Sequence, residues 1–204
     1  MLLLLGCPRA EPADQDARYF IESSTAQTLE ASRLSCLKIQ DAELHGLCLS
    51  DLVKEHPQEG AALCEAVIEP KWRDECYFRL AEALPISTDP EQFLARCRAA
   101  GQYEHKCRYH CLPRYGLLLR QHDDGETAFL KFAELVALME PVLDPQRMAW
   151  SQYSRVVIDG EDAIELEWCE RLEARLIPGC QRGLSEGLSR RLGQPRSRGV
   201  VPPP

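Results

Sequence analysis

The ten cysteines in 204 residues are the side chains with the most chemistry in this sequence, and their spacing says what most of that chemistry is. Cys36 and Cys48 are twelve residues apart, Cys64 and Cys76 twelve, Cys97 and Cys107 ten, and Cys169 and Cys180 eleven. The midpoints of the first three pairs fall at Ala42 beside Asp41, at Pro70, and at Gln102 beside Gly101, each a place where a helix is expected to break. Two residues equidistant from the turn between antiparallel helices face each other. With helix axes ~8–10 Å apart and each Cα carried ~2.3 Å toward its partner, the Cα atoms come within ~4–5.5 Å, which overlaps the disulfide window. These pairs read as staples across helical hairpins. The fourth midpoint, Ala174 and Arg175, falls inside a helix predicted to break only at Pro178-Gly179, so that pair fits the pattern less well. A disulfide closing a loop of about a dozen residues contributes roughly 3 kcal/mol, and three or four together match the net stability of a small domain.

The elements that must carry these cysteines read as helices. Apolar residues recur at three and four, as in Phe129, Phe132, Ala133, Val136 and Met139, or Ile164, Trp168, Leu172 and Leu176, without the alternation of strands. The β-branched run Val156-Val157-Ile158 follows Asp144-Pro145 and precedes Gly160, which makes it the core face of a helix. Helices are predicted near 15–38, 42–55, 59–69, 70–84, 90–100, 102–112, 126–140, 145–159, 161–177 and 181–191. First cysteines follow a leucine closely (Leu34, Leu63, Leu94) and second ones precede Leu49, Tyr77-Phe78 or Tyr109, a degenerate repeat with no named signature. The expected fold is all-α: an array of antiparallel helical hairpins, disulfide-stapled, solenoid-like or an irregular bundle. It occupies 17–191, with a sub-boundary near 113–125.

The chain opens Met-Leu-Leu-Leu-Leu-Gly-Cys, with leucine three places before a cysteine and glycine just before it. Over Leu4 to Cys7 this resembles the lipobox of bacterial lipoproteins, although no basic residue precedes the five apolar ones. The resemblance implies that 1–7 is a partial signal, that Cys7 is the lipidated residue, and that the polar stretch 8–16 is a tether. It places the protein outside the cytoplasm, membrane-anchored and facing the periplasm or cell surface, or else soluble and secreted. A disulfide framework persists only in such an oxidising space, which agrees.

Acylation of Cys7 would leave nine thiols, and after four pairs the remaining one is Cys111 in His105-Lys-Cys107-Arg-Tyr-His110-Cys111. Cys107 and Cys111 share a helical face at i and i+4, with His110 adjacent. Such a set is a weak candidate for zinc or copper, or for a thiol nucleophile. Cys-x3-Cys with one histidine is not a diagnostic metal spacing, so no metal or other cofactor is expected. If Cys7 is not acylated, ten cysteines make five disulfides.

The 24 basic and 32 acidic residues give a formal net charge of −8, which argues against a nucleic-acid partner. The basic residues Arg182, Arg190, Arg191, Arg196 and Arg198 gather near the end, and 192–204 reads as a disordered tail. There is no His-Glu-x-x-His, phosphate loop, Cys-x-x-Cys-His or Gly-x-Ser-x-Gly. The acid run at Asp123-Asp124 reads as a helix N-terminus, and His45 and His56 as residues near helix ends. The expected function is protein interaction or scaffolding rather than catalysis, with membrane contact only through a lipid anchor. The alternative is a periplasmic metal-binding or thiol-redox protein centred on Cys107, His110 and Cys111.

Overall fold

A computed structural model describes residues 12–139, 143–157 and 166–192, excepting the side chains of 143–144, 155–157 and 191–192. Cys7 with the lipobox-like segment, Ile158, Gly160 and the tail from 193 lie outside the described residues. Every regular element among those described is helical. They are α1 (Pro12–Thr25), α2 (Leu29–Cys36), α3 (Ala42–Glu55), α4 (Gly60–Glu65), α5 (Pro70–Ala83), α6 (Pro90–Arg98) and a 3-10 turn (Gly101–Tyr103). There follow α7 (Glu104–His122), α8 (Gly125–Leu138), α9 (Leu143–Val157), a 3-10 segment (Leu166–Arg171) and α10 (Ile177–Leu192).

Side-chain caps set several of these starts. Asp41 accepts from the Leu44 amide at 2.8 Å, Glu69 from Trp72 at 3.0 Å with Pro70 behind it, and Asp124 from Thr127 at 2.9 Å. Each accepts one of the amides a helix N-terminus leaves unpaired. Hydrogen bonds from the Thr127 amide and hydroxyl hold the Asp124 carboxyl below its ordinary range, in keeping with the capping role.

Several expected boundaries differ. The predicted helix 15–38 is two helices, because Ser24 and Thr25 turn their hydroxyls back onto the Ile21 carbonyl and Thr28 caps a new start through Ala31. The expected tether at 8–16 is helical from Pro12, and its last residue is part of the fold. Asp16 is buried, its carboxylate accepting the amides of Gln40 at 3.0 Å and Asp41 at 2.9 Å. Helix 102–112 does not stop there: α7 runs through Pro113 to His122. The proline forfeits one amide, while Leu112, Tyr115 and Leu119 on the same helix are fully buried and hold it in place.

The chain divides into two compact units, Met1–Pro85 with Ala95–Cys107, and Ile86–Leu94 with Arg108–Pro204. In the first, α3 packs on α1, α2, α4 and α5 around Ile39, Leu49, Leu52, Val53, Leu63, Val67 and Leu80, with Cys36, Cys48, Cys64 and Cys76 in the same cluster. Gly46 lets α3 approach α5 closely, since a Cβ there would collide with that of Trp72. In the second unit the core is aromatic. Phe129 lies 4.7 Å from Trp150 and 5.5 Å from Trp168, and Phe132 lies 4.3 Å from Tyr153, centroid to centroid. There α10 packs on α9 through Gly179, Gly183 and Gly187, one per turn, set against Gln146, Arg147, Trp150 and Ser154.

Candidate functional site

Four cysteine pairs stand at disulfide distance, and they are the pairs that the spacing joins: Cys36–Cys48, Cys64–Cys76, Cys97–Cys107 and Cys169–Cys180. Their Cα separations are 5.6, 5.4, 5.4 and 5.8 Å, within the range that a disulfide spans. Each pair joins neighbouring helical elements: α2 to α3, α4 to α5, α6 to α7 across the 3-10 turn Gly101–Tyr103, and the 3-10 segment to α10. The fourth is not the exception its spacing suggested. The expected helix 161–177 is interrupted, with a 3-10 segment ending at Arg171 and turns at 174–176, so the break falls at the midpoint of Cys169 and Cys180. Pro178 is the physical reason: it sits in the first turn of α10, where its missing amide costs no helical bond.

Sulfur is concentrated at one place. The sulfurs of Cys97, Cys107 and Cys111 all lie within 4.8 Å of one another, and all three residues are buried. Cys107 and Cys111 are one turn apart on the uninterrupted α7, so the helix itself sets their spacing, and the bond to Cys107 brings in Cys97 from α6. Among the described residues Cys111 is the cysteine outside the four bonded pairs. His110, grouped with Cys107 and Cys111 by sequence, is not part of the cluster. One residue from Cys111, it points about 100° away around the helix and is exposed. The third member is Cys97, which sequence separation hid and which the ten-residue pairing with Cys107 could have revealed.

Donor chemistry follows from this arrangement. With Cys97 bonded to Cys107, those two sulfurs are not thiolates and offer no strong metal ligand in this state. Tyr109, between the two α7 cysteines in sequence, has its phenol pushed up to about 12 by burial.

Two further sets of buried polar groups were not legible. His45 is buried on α3, with Nε2 lacking a hydrogen-bond partner and its pKa lowered by desolvation; it is neither a cap nor solvent-facing as its position suggested. In the second unit Gln146 Oε1, Trp150 Nε1 and Tyr153 OH are likewise buried without partners, and burial raises the Tyr153 phenol far above its ordinary range. A groove of about 240 Å³ between α1 and α3 is lined by Phe20, Ser23, Ser24, Asp51, Leu52 and Lys54, with Lys54 held by Asp51 at 2.7 Å. Among the described residues no helix is long and apolar enough to cross a membrane.

No family model, curated protein or solved structure matches the chain.

Proposed function

We propose that this chain is an exported protein-interaction scaffold of the bacterial envelope, lipid-anchored through Cys7 and built as an array of disulfide-stapled helical hairpins. One observation carries the reading: four bonded cysteine pairs, each closing a short span between neighbouring helical elements. Bonds of that kind form and persist in an oxidising compartment, and they rigidify helices as short as the six-residue α4, too short to hold together alone. Rigid short helices present side chains at low entropic cost to a partner. On the first unit Ile68, 77% exposed in the connection between α4 and α5, and Ile21, 61% exposed on α1, are apolar groups so presented. Bulk negative charge suits a protein partner better than nucleic acid.

The compartment is tested by intact mass of the chain made from its own start in a bacterial envelope, with and without reduction and alkylation. The expected chain carries acyl groups and a single alkylatable thiol. Ten alkylatable thiols overturn the reading. The interaction is tested by a photo-crosslinking residue at Ile68 and, separately, at the exposed Glu22 as a polar control. A discrete protein adduct at Ile68 and none at Glu22 is expected; equal labelling at both argues against a docking face.

A further inference from the structure

The Cys36–Cys48 staple borders a groove. Cys48 lines the space of about 240 Å³ between α1 and α3, together with Phe20, Ser23, Ser24 and Leu52. We propose that this pair is a thiol-exchange site: a small, uncharged external dithiol enters the groove, attacks the Cys48 sulfur and opens the staple between α2 and α3. The proposal rests on the bonded pair and not on what the chain binds.

Two features select the attacked and the leaving sulfur. Cys36 is fully buried, whereas Cys48 lines the groove, so an incoming thiolate meets Cys48. Cys36 is then the group that departs, and a donor is already placed on it. The Ser23 hydroxyl lies 3.1 Å from the Cys36 sulfur, and because a disulfide sulfur carries no proton the hydroxyl is the donor. A hydrogen bond to the charged form favours the thiolate, and a thiol of lower pKa leaves faster. Ser23 is itself buried, and its carbonyl accepts from the Ser32 hydroxyl at 2.9 Å, which holds α1 against α2 with the donor in position.

The step balances with the dithiol as reductant. One thiol of the reagent loses its proton and bonds to Cys48 as the Cys36–Cys48 bond breaks, and the Cys36 thiolate takes up a proton. The second thiol loses its proton and displaces Cys48, which leaves as a thiolate and is protonated in turn. The reagent departs as its own cyclic disulfide, so two electrons and two protons pass from dithiol to protein. The charge of the groove sets the class of thiol. Asp51 and Glu55 line it with Lys54, whose ammonium Asp51 holds at 2.7 Å. Two carboxylates against one paired ammonium repel an anionic thiol and admit a neutral one.

The test follows the order in which the staples of the whole chain open. Limiting dithiothreitol at pH 8 is quenched in acid after increasing times, and free thiols are labelled with a maleimide in acidic denaturant. The remaining cysteines are then reduced and given a second label, and trypsin places Cys36 and Cys48 on peptides 34–38 and 39–54. First label should rise on these two together, ahead of peptides 55–71 and 74–79, which carry Cys64 and Cys76, and ahead of those carrying Cys97, Cys107, Cys169 and Cys180. Ser23→Ala should slow this opening about fivefold, the factor that one net hydrogen bond is worth. A merely structural Ser23 would loosen the staple when removed and speed the opening instead. Ser24→Trp, at an exposed position of the groove wall, should slow label on 34–38 and 39–54 alone. At equal thiolate concentration the anionic 2-mercaptoethanesulfonate should expose Cys36 more slowly than neutral 2-mercaptoethanol. Simultaneous opening of the four staples, first opening of another one, an unchanged or faster rate in Ser23→Ala, or equal reactivity of the two monothiols overturns the proposal. Label on 34–38 and 39–54 before any thiol is added overturns it together with the stapled framework. Where a variant does not fold, the order of opening in the unaltered chain decides.

Discussion

The two compact units reach stability by different physics. The first holds three of the four bonded pairs, Cys36–Cys48, Cys64–Cys76 and Cys97–Cys107, and beside the 14-residue α1, α3 and α5 it includes two short helices, eight residues in α2 and six in α4. Its core is aliphatic, with cystines at its centre. The second holds one pair, Cys169–Cys180, and longer helices of 14 to 19 residues in α7 to α10. Its core is a stack of Phe129, Phe132, Trp150, Tyr153 and Trp168 closed by glycines against α9. A helix of six residues buries too little to repay its own ordering, so covalent closure substitutes for area. A helix of 15 or more with aromatic partners needs less of it.

Reduction should separate the units most sharply. Three staples at roughly 3 kcal/mol each amount to about 9 kcal/mol, the whole net stability of an ordinary domain, whereas one such loss leaves an aromatic core able to persist. After reduction and alkylation, hydrogen exchange read by mass spectrometry should show protection lost across α2 to α5 and retained in α8 and α9. Simultaneous loss in both units would end the comparison, because the second would then depend on its single staple as heavily as the first on three.

The converse perturbation strikes the second unit. A Cβ on Gly183 would fall on the Arg147 carbonyl oxygen and 2.6 Å from the Trp150 Cβ, both fixed points of α9 rather than movable side-chain ends. Gly183→Ala is expected to cost about 2–3 kcal/mol by forcing α9 and α10 apart, read as a fall in thermal midpoint and a weakened near-ultraviolet signal from Trp150. Protection in α3 and α5 should be unchanged. A neutral outcome would mean that α10 is held by its disulfide rather than by close packing.

Much of this was legible because each staple lies within a dozen residues. Short sequence separation, helix punctuation at the midpoint and the geometry of facing helices select the same partners, and no long-range knowledge is needed. Where structure departs from expectation, contacts distant in sequence decide. Pro113 reads as a stop by its local chemistry, but buried Leu112, Tyr115 and Leu119 keep α7 intact around it. Asp16 reads as a tether residue until its carboxylate meets two amides 24 and 25 residues away. The break between α1 and α2 was recoverable in principle, since Ser24, Thr25 and Thr28 are residues that compete for backbone groups. Thr28→Ala should cost about 1 kcal/mol by removing the cap on Ala31, measured by chemical denaturation of the first unit. Unchanged stability would mean that the Ser32 bond to Ser23 O alone sets the bend.

The smallest expected effect is a slope with pH, and it too belongs to one unit. His45 is buried on α3 with Nε2 unpartnered, and desolvation lowers its pKa from 6.5 in the folded chain. Above 6.5 the imidazole is neutral in both states and the fold has its full stability. As pH falls below 6.5 the unfolded chain binds the proton first, so unfolding is drawn forward until the lower, folded pKa is reached. Stability of the first unit should therefore decline as pH falls from about 6.5, and His45→Gln, close in size and unable to titrate, should remove that part of the decline. The readout is the pH dependence of amide protection in α3 compared with α8 in the same sample. A slope in α3 that survives His45→Gln would assign the proton to another group, while equal slopes in α3 and α8 would mean that the two units unfold as one.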